Sequence, residues 1–308
     1  MIKTESASRP VAILAALLVV TLWSSSWVLI KQGLEDIPPL TFAGLRYFLA
    51  FLSLVPFALS KSNRRTLHRI SRKSWITLGV LGLLLYSIGV GGQFVALFHL
   101  PTVTTRLLFA FDTIVVALIS GVLLKERPAW VQWLGIIIAL VGIWTYFHPV
   151  NIDVSQLTGI AAALVGTLGF AMAAIVGRDV GRSRSMSPLL VTAVSMGVGS
   201  VVLISCGLLL EGVPAVSPRN WIIILWLSVV NTALAFVVWN HTLRTLTAVE
   251  SNIVTNVMVP EIAVLGWWFL GERLSALDLI GLGLVILGTV LVQLGGARLI
   301  VRESTEPG

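Results

Sequence analysis

Cysteine occurs once in this chain of 308 residues, at Cys206. A single thiol excludes an intrachain disulfide and any cysteine-built metal cluster. Charge is scarce as well: Asp, Glu, Lys and Arg make up 11% of the chain, against roughly 25% in ordinary soluble domains. Hydrophobic residues reach 56%, and the mean hydropathy is +0.95. A soluble protein of this length needs a polar surface that such a composition cannot supply. Histidine appears only four times, scattered, which argues against a metal site. There is no glycine-rich phosphate loop, no His-Glu-x-x-His and no Gly-x-Ser-x-Gly, so the enzyme classes built on those motifs drop out and no cofactor is expected. The net charge of +7 does not point to nucleic acid either. A nucleic-acid binder gathers its cations on a folded polar domain, whereas these sit in short stretches between apolar runs.

Those runs are what the chain has in quantity. Crossing the hydrocarbon takes about 20 mostly apolar residues in a helix. Reading for that length predicts an all-α membrane protein of ten spans: 10–31, 39–59, 75–99, 101–124, 128–147, 158–178, 187–210, 219–243, 247–270 and 275–296. The first run follows Lys3 and Arg9 as a signal peptide would, but it continues to Ile30 and further spans follow, so it reads as a span. With the N-terminus placed in the cytoplasm, sixteen Lys and Arg fall in inner segments and three, Lys31, Arg219 and Arg273, in outer ones. That bias predicts a cytoplasmic membrane protein with both termini inside. The densest cluster, Lys61 to Lys73, reads as a topology signal at the headgroups.

The text is also written twice. Leu124-Lys125-Glu126-Arg127 recurs 146 residues on as Leu270-Gly271-Glu272-Arg273, and Gly135 and Gly142 recur as Gly281 and Gly288. Two units are expected, residues 1–148 and 149–297, followed by a cytoplasmic tail of 298–308. Five spans per unit is an odd number, so the second unit should enter the membrane inverted. Many transporters are duplicated this way, with the substrate site between the halves.

These residues resemble the EamA-type members of the drug/metabolite transporter superfamily. The resemblance rests on Trp23-Ser24, on Leu45-Arg46-Tyr47-Phe48, on the two Leu-x-Glu-Arg motifs and on the glycine-bearing helices after them. It implies two inverted five-helix repeats, with the fifth and tenth helices away from the substrate, and export of amino acids or related metabolites by secondary transport. The fourth span departs from the family's small residues and proline, carrying Arg106, Phe109, Phe111 and Asp112 instead.

Glycines seven apart return to nearly one helical face, so Gly135 with Gly142, and Gly281 with Gly288, mark shallow strips for close helix packing. Gly89, Gly91 and Gly92 mark either a bending point or packing contacts. Charges at depth are costly and usually face a cavity or a partner. Asp112 and Glu261 are therefore candidates for proton coupling, for binding a substrate ammonium, or for a structural ion pair with Arg46 or Arg106. Arg46 would bind a substrate carboxylate or, as the preferred reading, neutralise a buried acid; Arg106 is expected to snorkel to the headgroups. Asn252 and Asn256, four apart, share a helical face. Trp27, Tyr86, Gln93 and Trp239 would supply an aromatic and polar lining, core packing being the plainer account of the rings. Trp75, Trp130, Trp144, Trp221, Trp267 and Trp268 read as interfacial belt. The expected partners are a small-molecule substrate, a proton and the lipid bilayer, in a monomer or homodimer; cationic drugs, other metabolites or a channel-like uniporter are the alternatives.

Overall fold

The computed structural model describes residues 9–60, 63, 66, 70–123, 129–148, 153–183, 186–243, 245–246 and 248–305. The Leu124–Arg127 motif, most of the basic loop between Lys61 and Lys73, and the join between the expected units at 148 and 149 lie outside these residues.

Among the described residues the chain is helical, without strands. We number the helices α1 (Arg9–Gly33), α2 (Pro39–Ala58), α3 (Arg72–His99), α4 (Thr102–Phe109), α5 (Asp112–Leu123), α6 (Trp130–Tyr146), α7 (Val154–Ser183), α8 (Pro188–Leu210), α9 (Pro218–Thr242), α10 (Ala248–Asn256), α11 (Met258–Leu270) and α12 (Ala276–Thr305). Among the described residues eight stretches are long and apolar enough to cross a bilayer, and Trp130–Tyr146 is a shorter apolar helix. The starts are written locally. Ser71, Ser187 and Ser217 each accept a backbone N–H three residues on, and proline stands at the first position of α2, α8 and α9, where its missing N–H costs nothing. Gly271, at φ 68°, ends α11 in the left-handed region that favours glycine.

Two features interrupt the helices, and each occurs twice. Residues Leu83–Val90 within α3 and Val229–Leu234 within α9 take wider π-helical turns; Val229 lies 146 residues after Leu83. The fourth predicted span is broken at Ala110 and Phe111 into α4 and α5, and the ninth at Val257 into α10 and α11, again at the same offset. The irregularities thus repeat where sequence identity between the halves is thin.

Helices α6 and α12 meet through the glycine strips. A Cβ on Gly135 would stand 2.6 Å from the Gly288 carbonyl oxygen, and one on Gly142 would stand 2.7 Å from that of Gly281. The helices therefore run antiparallel, each glycine facing the counterpart of the other. Gly89 and Gly92 also serve packing: added Cβ atoms would meet the Phe170 ring and the Gly166 backbone. The main core gathers Trp27, Phe42, Leu54, Tyr86, Phe94, Met196 and Ile224, while the six belt tryptophans are exposed.

Long-range polar contacts sort the helix ends into two sets. Arg9 pairs with Glu250 at one end, where Ser187 also donates to Asn63. At the other, Lys31 donates to the carbonyls of Leu97 and Leu100 at 2.6 and 2.9 Å, countering the negative end of α3. Asn220 donates to Asp36 there, and Glu211 accepts the N–H groups of Leu40 and Thr41 at the start of α2. Glu272 does the same for α4, accepting from Thr102 at 2.6 Å and Val103 at 3.2 Å. The acid of the second Leu-x-Glu-Arg motif is thus a helix cap supplied from 170 residues away in sequence.

Candidate functional site

The expected site residues fall into three neighbourhoods. The first centres on Arg46 of α2, which is 4% exposed. Its Nε donates to the Thr232 hydroxyl at 3.2 Å, and the guanidinium lies 5.1 Å from the centre of the Tyr47 ring, a favourable place for a cation. The buried acid expected beside it is not there: among the described residues, its partners are this hydroxyl and this ring. Both π-helical segments converge here. Tyr86, from the first, packs tilted against Tyr47 with ring centres 5.3 Å apart. Thr232, from the second, also donates to the Leu227 carbonyl five residues earlier, a partner the widened turn makes available. Next to it the buried Asn231 donates to the Leu22 carbonyl and to Ser25, while its Oδ1 accepts nothing among the described residues. Trp27 is buried in the same core as Tyr86; Gln93, on α3, is half-buried.

The second neighbourhood is Glu261, in the first turn of α11. Its carboxylate accepts hydroxyl hydrogen bonds from Thr21 at 3.0 Å and Ser24 at 2.6 Å, both on α1. Neither Arg46 nor Arg106 approaches it, so the ion-pair role weighed for this acid does not describe it. Pro260 removes the N–H that would have bonded the Asn256 carbonyl, which accounts for the break beside it. Between Thr21 and Ser24 on α1, Trp23 packs against Trp239 with ring centres 5.2 Å apart, and Phe236 lies 5.8 Å from the same ring.

The third is a cavity of about 270 Å³ between the two broken spans and α12, lined by Arg106, Asp112, Thr113, Thr255, Asn256 and Gln293 among others. Asn256 donates to Gln293 at 3.0 Å, tying α10 to α12. Arg106, expected to reach for headgroups, turns instead toward this cavity and Asp112. The reason is the break: α4 ends one turn beyond Arg106, and the chain resumes at Asp112, placing both side chains on the interrupted segment. The side chain of Asn252 lies outside the described residues. Sequence reading gave no signal for Thr232, Thr21 or Gln293, because each owes its place to a helix distant in the chain. Among the described residues no cluster of metal-ligating side chains forms.

A chain of apolar helices, two of whose spans break beside Asp112 and Glu261, has the form of a multi-pass membrane transporter. The EamA-like transporter family model matches twice, over residues 10–147 and 157–294. The chain belongs to that family. Relatives include the uncharacterized transporter YoaV of Bacillus subtilis, 27% identical with 90% of this chain and 95% of the relative covered. The uncharacterized inner membrane transporter YedA of Escherichia coli K12 is 25% identical, with 89% and 88% covered. An S-adenosylmethionine/S-adenosylhomocysteine transporter of Chlamydia trachomatis serovar L2 is 25% identical, with 88% and 85% covered. A crystal structure aligns over 97% of this chain and 100% of its own at a TM-score of 0.65 and 18% identity, a likeness of fold. Family and relatives are transporters, not enzymes.

Proposed function

We propose that this protein is a secondary active transporter that exports amino acids or related small metabolites across the cytoplasmic membrane. It does so as ten crossings in two inverted five-helix repeats, with both termini in the cytoplasm. The observation that carries the reading is the paired interruption of the fourth and ninth spans, with Asp112 and Glu261 beside the breaks. Broken helices near mid-membrane, with polar groups at the break, are how transporters hold solutes against hydrocarbon. The inverted relation is supported by the antiparallel crossing of α6 and α12, in which Gly135 faces Gly288 and Gly142 faces Gly281. Such reciprocity is what a two-fold relation between like units produces.

The amino-acid class is supported by the Chlamydia relative, whose named compounds both carry an amino-acid head group, and by the charges of both signs at depth in this chain. Glu261 is the coupling acid. Its two hydroxyl partners on α1 can be exchanged for others as helices shift, letting a proton load on one side and leave on the other. Arg46, held by Thr232 and Tyr47 between the two π-helical segments, fixes a substrate or the helices that surround it; Trp27, Tyr86, Gln93 and Trp239 line the pathway.

Counterflow with the purified protein in proteoliposomes tests this. The panel is amino acids, nucleosides, sugars and cationic drugs. Saturable exchange of amino acids supports the reading. Saturable exchange confined to another class refutes the substrate assignment, and unsaturable ion conductance refutes alternating access.

A further inference from the structure

Within the cavity between the broken spans, two groups retain capacity that the packing does not use. Arg106 enters from the last turn of α4 and Asp112 from the first turn of α5. Their charges attract, but among the described residues neither makes an ion-pair contact. Nε of Arg106 is buried without a hydrogen-bond partner among the described residues. Asp112 receives the Thr113 hydroxyl on Oδ1 at 3.0 Å. Two other polar walls are engaged in the packing: Asn256 donates to Gln293, and Thr289 donates to the Val285 carbonyl. A buried charge without a partner is costly, and a guanidinium with free planar donors matches a carboxylate. Opposite it, Asp112 offers the negative charge an ammonium needs.

We propose that this cavity receives the head group of a zwitterionic α-amino acid, with its carboxylate on Arg106 and its ammonium on Asp112. The inference rests on the amino-acid reading above, gives it an address, and departs from the expectation that the tenth helix stands away from the substrate, because α12 walls this cavity. An inorganic anion would be attracted by Arg106 and repelled by Asp112, a metal cation the reverse, and a sugar would leave both charges unmatched. At about 30 Å³ per water molecule, a volume of about 270 Å³ takes the head group and a short side chain.

The test uses full-length protein in proteoliposomes with two matched sets: leucine, isopentylamine and isocaproate; alanine, ethylamine and propionate. The second member of each set lacks the carboxylate and the third lacks the ammonium. Wild type should exchange at least one of the two amino acids and reject its two fragments by about tenfold or more. D112N should lose the amino acid by about 30-fold, the usual scale for truncating one partner of a buried charge pair, and gain the acid fragment; R106Q should lose it likewise and gain the amine. Crossed specificity of that kind does not arise from a structural ion pair. For variants that fail to fold, the wild type decides: the amino acid should raise its melting temperature and neither fragment should. Variants exchanging the amino acid as wild type does, or a fragment that stabilises equally well, overturn the head-group site while the amino-acid reading stands. Wild type exchanging only nucleosides, sugars or drugs overturns both.

Discussion

Replacing Gly288 by alanine, beside the same change at Gly283, separates packing from helix propensity on one helix. Both residues lie in α12. A Cβ on Gly288 would stand 2.5 Å from the Gly135 carbonyl oxygen and 2.6 Å from the Ala139 nitrogen, whereas one on Gly283 meets nothing within 4 Å. The Gly288 neighbours are backbone atoms and the Ala139 Cβ, which is fixed to the backbone, so the methyl cannot be accommodated by turning a side chain; α6 and α12 must move apart. Forcing such a contact costs about 1–3 kcal/mol, and exchanging a helical glycine for alanine returns up to about 1 kcal/mol. Gly288→Ala should therefore lose up to about 2 kcal/mol net, and Gly283→Ala should gain up to about 1. At roughly 2 °C per kcal/mol for a large chain, that is a fall of about 4 °C against a rise of about 2 °C. Tryptophan fluorescence during thermal unfolding in detergent reads the difference. Gly288→Leu should fall further. Equal shifts for the two alanine variants would show that the α6–α12 contact is looser than the reciprocal glycine pairing requires.

Glu272→Ala removes the acceptor for the Thr102 and Val103 N–H groups and should lower stability by about 1–2 kcal/mol. Glu272→Gln, which keeps an acceptor but not the charge, should recover part of it; identical melting curves for the three proteins would contradict the capping role. Glu261→Gln keeps the shape and one acceptor oxygen for the α1 hydroxyls while removing the carboxylate. Uptake driven by an imposed pH gradient should vanish, while counterflow, which needs no net proton movement, should persist. Unchanged response to the gradient between about pH 5 and 8 would take the coupling role from this residue.

Much of the architecture was legible because it is one-dimensional. Apolar run lengths, prolines and serines at helix starts, and glycines seven apart can each be read along the string. So could the motif ending in Glu272-Arg273, though not what Glu272 does, since the N–H groups it caps lie at Thr102 and Val103. The π-helical segments were invisible: Leu83–Val90 and Val229–Leu234 share almost no residues, and a widened turn answers to neighbouring helices rather than to local spelling. The preference for an acid beside Arg46 failed for a related reason. Cost arguments require that a buried guanidinium be accommodated, but a hydroxyl and an aromatic ring at the right place do so as well as a carboxylate. Arg106 was misjudged because an unbroken fourth span would have carried it outward; the interruption at Ala110 and Phe111 turns it in.

Sequence alone determined that this is a membrane protein, that its hydrophobic text is duplicated, and which few charges must be housed at depth. These follow from composition, length and order, which solvation by lipid constrains without reference to neighbours. Tertiary structure alone decided which helices break, that Glu261 answers to hydroxyls on α1, and that Arg106 and Asp112 share a cavity. Those are contacts between segments far apart in the chain, and the free energy of a buried polar group depends on the atoms brought against it.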